Sequence, residues 1–450
     1  MRPAASVNRA RRFLKKRAEL TKHRLVCGDL RGVSQAVVIP ALAEEERLFA
    51  TLETLGQNPP EELARTLVIC VVNNRAEPFT RTGQLAENQR TLVHLENLVK
   101  GHRTHTSPDL ACDHLRLGFV DASSSGLEIG LKFGVGEARR IGLDLGLSVL
   151  TDNHVEEGLL FSLDADTMVE ADYLAKVRRH FEETECRSAV VDYAHALPDD
   201  PERRVAIVRY ELFLRYHEFG LRLAGSPYAF PTIGSTIVTR CDAYVAAGGM
   251  NRRQAGEDFY FLQELVKTGG VGRVNSTTVH PSSRVSDRVP FGTGATISRH
   301  LSGGDDGSMV YHPTSYRVIG DWLSVIEEGL DHPASDILER AARISTELKA
   351  FLVRNDFAES WPKIQQNAPD LDGLGRQFHR WFDGFRTLKL IHHLRDNGFP
   401  RQPIFDAIRE IIDLSTGIDR VIAWDSIAGD IEAQRELVGV LRSRCVEALS

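Results

Sequence analysis

Short unbroken apolar runs, separated by longer stretches with apolar residues at helical spacing, dominate the first half of the chain. Residues 35–40, 67–72, 117–120 and 158–163 are such runs, and their length and bounding polar residues predict buried strands. Between them, residues 44–55, 80–100 and 171–183 predict helices, and 128–145 has the glycine punctuation of a loop entering a helix. Strands alternating with helices imply an α/β fold with a mainly parallel sheet flanked on both faces by helices. In such sheets ligands bind beyond the carboxyl ends of the strands, and polar clusters begin at those ends here. From 187 to 279 strand and helix signals mix less regularly. Residues 281–312, rich in Ser, Gly and Arg, predict a long loop of the kind that serves as a lid. Beyond 314 the pattern is almost wholly helical, with turn breaks at Asp331-His332-Pro333 and Asn397-Gly398-Phe399-Pro400. The expected organisation is a helical extension over 1–34, an α/β domain over 35–312 and a helical C-terminal subdomain over 313–450.

Composition sets limits on this picture. Of 450 residues, 42% are hydrophobic and 26% charged, which is ordinary for a folded globular chain and excludes disordered and fibrous classes. No apolar run reaches the roughly 18 residues of a membrane span, and the basic start of the chain is followed by no signal-peptide apolar core; a cytoplasmic protein is expected. Six dispersed cysteines without a C-x-x-C pair are expected as thiols. The net charge of −7 does not suit a nucleic-acid binder. One segment departs from that balance. Between Arg2 and Arg24 nine Lys or Arg residues stand against the single acid Glu19. A helix there either packs on the main domain or a partner subunit, or touches a membrane surface or a polyanion. Homo-oligomerisation stays open.

Candidate chemistry concentrates at two carboxylate pairs. Asp164-Ala165-Asp166 ends the apolar run 159–163. Two carboxylates one residue apart supply hard oxygen donors of the kind Mg²⁺ or Mn²⁺ shares with water and substrate phosphates, and a cation so placed stabilises charge on a diphosphate leaving group. The alternative is that Asp166 or Thr167 caps the following helix. Farther on, Gly256-Glu257-Asp258 opens an apparent helix. Acids suit a helix N-terminus electrostatically; a carboxylate beside an acceptor hydroxyl also serves as general base, and Asp258 is the candidate, with Glu257 beside it.

Together these motifs resemble the family 2 glycosyltransferases and relatives with the GT-A nucleotide-diphospho-sugar transferase fold, over residues 35–290. Val37-Val38-Ile39-Pro40-Ala41-Leu42-Ala43-Glu44 is similar to the family's opening strand and nucleoside loop, with Leu42 and Ala43 replacing its aromatic residue and Asn. The resemblance implies nucleoside contacts from Pro40, Ala41 and Glu44. The base-reading Asp of the family's second strand is replaced by Asn73, followed by Asn74. Lys132-Phe133-Gly134-Val135-Gly136-Glu137-Ala138-Arg139 is similar to the segment preceding the family's D-x-D, which implies diphosphate contacts from Lys132 and Arg139. The D-x-D maps to Asp164, Ala165 and Asp166, and the E-D pair to Glu257 and Asp258. Gly234-Ser235-Thr236 looks like the acceptor-pocket segment, and His280 stands where several such enzymes supply a third metal ligand; a structural histidine is the alternative. Arg284 and Arg288 are implied as donor contacts from the loop 281–312.

The function implied is a metal-dependent hexosyltransferase that moves a sugar from a nucleotide-sugar donor to a soluble acceptor hydroxyl. Inversion with Asp258 as base is the simplest mechanism, and retention stays open. A nucleotidyltransferase of similar fold is one alternative, although Ala41-Leu42-Ala43-Glu44 stands where such enzymes carry a Gly-rich basic loop. A non-catalytic nucleotide-sugar binding or scaffold protein is another.

Overall fold

The computed structural model describes the chain apart from residues 1–2, 18, 77, 102–113, 287–291, 305–306, 416–423 and 448–450. The described residues form two compact units, one comprising residues 1–196 with 232–282 and the other residues 197–231 with 283–450.

The first unit is built on a nine-stranded mixed sheet. Its strands are β1 (Leu25–Cys27), β2 (Gln35–Ala41), β3 (Thr66–Asn73), β4 (Arg116–Ala122), β5 (Leu159–Ser162), β6 (Thr167–Val169), β7 (Ser188–Tyr193), β8 (Ile237–Arg240) and β9 (Gly272–Pro281). The spatial order is β1-β4-β3-β2-β5-β8-β7-β9-β6. The block β4-β3-β2-β5 is parallel throughout; β8 runs against β5 and β7, while β7 and β9 are parallel. Every residue of β2 and β3 is buried, so helices cover both faces of the sheet there, as their unbroken apolar runs require. The expected helices form as Glu45–Gly56, Thr82–Val99, Val135–Asp152 and Tyr173–Glu183.

The helix Val135–Asp152 lies directly on β2 and β3 because two glycines a turn apart face the sheet. A Cβ on Gly142 would collide with Val38 and come within 2.9 Å of Val71; one on Gly146 would lie 3.1 Å from Ala36 and 3.2 Å from Leu160. The basic N-terminal helix Pro3–Leu14 packs on this helix and on Cys241–Ala246. Val7 and Ala10 are buried by that packing, and Arg17 pairs with the buried Asp144 at 3.6 Å.

The second unit is helical, with one two-stranded ribbon pairing Met309–Val310 with Gln402–Pro403. Trp322 sits at its centre, its ring meeting Phe357, Phe378 and Phe382 edge-on at 5.5, 5.9 and 6.2 Å. The helices break between Glu328 and Ala334 and after Asn397, where the turn residues stand. Two expectations are corrected. The helix Pro201–Leu223, hidden in the irregular pattern of 187–279, buries Leu212, Tyr216 and Phe219 in the helical core and so belongs to the second unit. Residues 281–312 are not one long loop: Thr293–Leu301 is a helix whose Ile297 packs on Ala206 and Ile207. Sparse apolar residues amid Ser, Gly and Arg masked its period. The compact units therefore do not divide serially at 312. Among the described residues no helix is long and apolar enough to cross a membrane. Cys27, Cys70, Cys186, Cys241 and Cys445 are free thiols, and Cys112 lies outside the described residues.

The helix-on-sheet contact predicts opposite outcomes for two Gly→Ala changes. Gly142→Ala overpacks the core and should cost about 1–3 kcal/mol. Gly439→Ala, on the exposed side of Ile431–Glu447 where a Cβ meets nothing within 4 Å, should stabilise by about 0.4–1 kcal/mol. Urea unfolding of the two variants checks both signs.

Candidate active site

In the order β4-β3-β2-β5, the chain's first parallel strand, β2, has its successor β3 on one side and the later β5 on the other. The carboxyl ends diverge at this switch point and leave a crevice for a ligand. Leu163 continues the pairing of β5 by donating to Val38 O at 3.0 Å, and the next residues turn, with the amide of Thr167 on Asp164 O at 3.2 Å. Asp164 and Asp166 occupy that turn half-buried, and Ala165 is buried with its carbonyl accepting from Thr51 Oγ1 at 3.0 Å.

Arg139, in the first turns of Val135–Asp152, joins the motifs. Its side chain is 4% exposed; Nη1 donates to Glu257 Oε1 and Nη2 to Asp164 Oδ1. A Cβ on Gly234 would fall on the same guanidinium, so the short helix Gly234–Thr236 approaches Arg139 only because that position lacks a side chain. One cation thus touches the D-x-D, the E-D pair and the Gly-Ser-Thr segment. Ser235 is fully buried, and its Oγ has no hydrogen-bond partner among the described residues; Thr236 Oγ1 donates to Ile233 O at 2.8 Å.

The loop before Glu257 is held against the same helix end. Glu137, buried, takes Arg252 through two 2.6 Å contacts, and the Arg252 guanidinium lies 4.1 Å from the Phe133 ring centre. Asn251 Nδ2 donates to Glu257 O at 2.7 Å. Gly134 and Gly136 make room for this loop: a Cβ on either would stand 2.6 Å from Gln254 Cα or 2.7 Å from Arg253 O. These two glycines are packing residues. Gly256 turns the chain at φ 69° into the helix Glu257–Gly269.

Burial works against the charge of Arg139, but the carboxylates of Asp164, Glu257 and Asp258 outweigh it and hold the guanidinium protonated. Burial raises Glu257 to about 7, against the pull of Arg139 and with help from the Asp258 charge. Asp258 is also raised, by burial first, despite Arg139 and despite the Phe259 amide that donates to its Oδ1 at 2.7 Å. Three carboxylates around one guanidinium leave excess negative charge in this pocket.

The ends of β2 and β3 carry a polar network. Pro40 and Ala41 end β2, buried; Glu44 is buried with Arg47 at 3.2 Å. Asn73, with its amide oriented to donate, meets Val71 O and Ala41 O at 3.2 Å each and so ties the ends of β3 and β2 together. Asn88, which sequence reasoning missed, donates to Asn73 O, Asn74 Oδ1 and Ser123 Oγ, and accepts from the amide of Ala43 at 2.8 Å. That last bond supports Ala43 in a left-handed conformation at φ 49°. Asp121, half-buried near the end of β4, accepts from the amides of Ser123 and Ser124 at 2.9 and 2.8 Å. It was also missed, although a polar residue closing the third parallel run was signal enough. Lys132 stands exposed in the turn before Val135–Asp152.

His280 Nδ1 lies 3.1 Å from Ala194 O and Nε2 2.7 Å from Glu170 Oε1. Among the described residues no group of three or more His, Cys, Asp or Glu side chains is gathered as a metal cage. Asp164 and Asp166 remain as oxygen donors, a set that fits a cation completed by water and phosphate rather than by protein. Arg284 belongs to the second compact unit, and Arg288 lies outside the described residues.

No family model and no curated protein matches the chain. Solved structures give distant likenesses. Residues 1–349 of TarS from S. aureus, in complex with UDP-GlcNAc, are 10% identical, with 77% of this chain and 91% of that chain covered and a TM-score of 0.37. The UDP complex of the same fragment is 12% identical with the same coverage and a TM-score of 0.34. The mannosyltransferase PcManGT from Pyrobaculum calidifontis, in complex with GDP-Man and Mn²⁺, is 11% identical, with 99% and 94% covered and a TM-score of 0.34. Likeness at this level carries no argument about the chemistry of this chain.

Arg139→Ala should destabilise the protein by about 3–5 kcal/mol by leaving Glu257 buried without its cation, and adding Glu257→Gln should recover part of that loss; chemical denaturation of the single and double variants tests the coupling. Because Glu257 binds its proton more tightly folded than unfolded, its contribution to stability is full below its ordinary range and is lost as pH rises through about 7. Glu257→Gln should flatten that part of the stability–pH curve.

Proposed function

We propose that the chain is a metal-dependent glycosyltransferase of the GT-A type, of the family 2 kind, acting on a nucleotide-sugar donor and a soluble acceptor hydroxyl. The observation that carries this reading is the single buried guanidinium of Arg139 pairing with both Asp164 and Glu257 beside the switch point of the sheet. It draws a D-x-D turn and an E-D helix start, remote in sequence, into one pocket.

In this reading the nucleoside lies over Pro40, Ala41, Glu44 and the Asn73 network, and the diphosphate lies at the Asp164-Ala165-Asp166 turn, with Lys132 at its edge. Asp164 and Asp166 are the residues that would hold Mg²⁺ or Mn²⁺, which when bound supplies Lewis-acid stabilisation of the leaving diphosphate. Arg139 keeps Asp164 and Glu257 fixed. Gly234, Ser235 and Thr236 line the acceptor side, where the buried Ser235 Oγ has no hydrogen-bond partner among the described residues. Asp258, half-buried at a helix start and raised in proton affinity, is the base. Its carboxylate takes the acceptor hydroxyl proton as that oxygen bonds to the anomeric carbon; the carbon–phosphate oxygen bond breaks in the same displacement, with inversion.

A panel of UDP-, GDP-, ADP- and dTDP-sugars with Mn²⁺ or Mg²⁺, read by thermal stabilisation and nucleotide release, tests the reading. One nucleotide family should stabilise the protein in a metal-dependent way, and Asp166→Ala should abolish the effect. Asp258→Asn should keep donor stabilisation while lowering kcat on the order of 10²–10⁴-fold. Pyrophosphate release from a nucleoside triphosphate and a sugar phosphate would point instead to nucleotidyl transfer. No response to any donor would leave the reading without support.

A further inference from the structure

The basic N-terminal segment is docked, not loose, and its docking sorts its charges. Val7 and Ala10 face inward on the helix Pro3–Leu14, and Arg17 is drawn in to Asp144, to the carbonyl of Gly248 and over the Phe13 ring. Asp144 is also met by Arg140 at 3.6 Å and by the Tyr244 hydroxyl at 2.8 Å. That inner acid is therefore satisfied. Among the described side chains of residues 5–24 every exposed charged group is a cation: Arg9, Arg11, Arg12, Lys15, Lys16, Lys22 and, after the short helix, Arg24. No acid stands in the helix itself. Lys22 and His23 reach the carbonyls of Glu128 and Leu127 at 2.7 and 2.8 Å, which sets the turn carrying Leu131 and Lys132 alongside. Leu131 is 49% exposed, and Val26 on the edge strand β1 is 43% exposed.

We propose that this face binds the surface of an anionic lipid bilayer. In a protein of net charge −7, exposed cations on a docked helix and the short segment that follows it are a local attractor for a negatively charged plane. The chemistry favours lipid over nucleic acid because exposed Leu131 and Val26, close along the chain to the exposed Lys132 and Arg24, gain by entering a headgroup–acyl boundary and gain nothing on a phosphate backbone. The inference is independent of the sugar-transfer reading. It adds that catalysis by the first unit would take place at a membrane face.

The test is co-sedimentation of the full chain with vesicles of phosphatidylcholine alone or mixed with phosphatidylglycerol. The wild type should pellet with the mixed vesicles only, and progressively less as salt rises. The variant Arg11→Gln/Arg12→Gln/Lys15→Gln/Lys16→Gln should lose partitioning on the order of a hundredfold or more, with its melting temperature and nucleotide-dependent stabilisation unchanged. No pelleting of the wild type at low salt, or pelleting unaffected by the four substitutions, overturns the proposal. Binding to heparin or single-stranded DNA without binding to the vesicles also overturns it, in favour of a soluble polyanion. The salt titration needs no variant, so a folding defect in the variant does not remove the test, and donor stabilisation measured separately keeps the two proposals apart.

Discussion

A buried guanidinium is tolerable only when its charge is matched by acceptors held in place, and Arg139 has carboxylates from two distant parts of the chain on Nη1 and Nη2, with Nε alone left without a partner among the described residues. That requirement fixes much else. The helix Val135–Asp152 must lie close enough to the sheet for its first turns to stand over the end of β5, and Gly142 and Gly146 permit it. The loop 250–256 must approach the helix start, which Gly134, Gly136 and the Glu137–Arg252 pair secure. Gly234 must carry no side chain, because the guanidinium occupies that space.

The same interaction sets the electrostatics. One positive charge faces Asp164, Glu257 and Asp258, so ionisation of all three leaves the pocket net negative. The low-dielectric surroundings answer partly by raising the proton affinity of Glu257 and Asp258. A divalent cation at Asp164 and Asp166 would answer the same imbalance by neutralisation. Proton uptake at the E-D pair and cation binding at the D-x-D turn are then competing responses to one excess charge, and each should weaken the other.

The alternation of strands and helices was legible because β2 and β3 are buried at every position, which requires unbroken apolar runs. The positions of Asp164 and Glu257 were legible because both lie at the ends of regular elements. Their shared partner was legible only as an arginine in a motif: spacing along the chain does not say that a helix donates inward across the sheet. Asn88 and Asp121 escaped notice because a helix-borne amide and a strand-end carboxylate look solvated until the register puts them beside Asn74 and Ser123. The neighbour of His280 was hidden for the same reason: pairing of Met168 with His280 brings the imidazole next to Glu170. The helix Pro201–Leu223 was hidden because its apolar face answers to the second unit's core, whose buried residues break off at Ala224 and resume only at Val310.

The two acids of the E-D pair cannot share one role. Consecutive residues at a helix start point about 100° apart around the axis, so while Glu257 accepts directly from Arg139, Asp258 feels that charge without bonding to it. Glu257 is 5% exposed and held by a charged partner, which suits a residue that orients Arg139. Asp258 is half-buried, with one oxygen on the amide of its neighbour Phe259. A general base must exchange a proton with a ligand entering from solvent and must bind that proton more tightly than an ordinary aspartate does. Both acids bind their protons more tightly than usual, so in the proposed reading it is the greater exposure of Asp258 that assigns it the role of base.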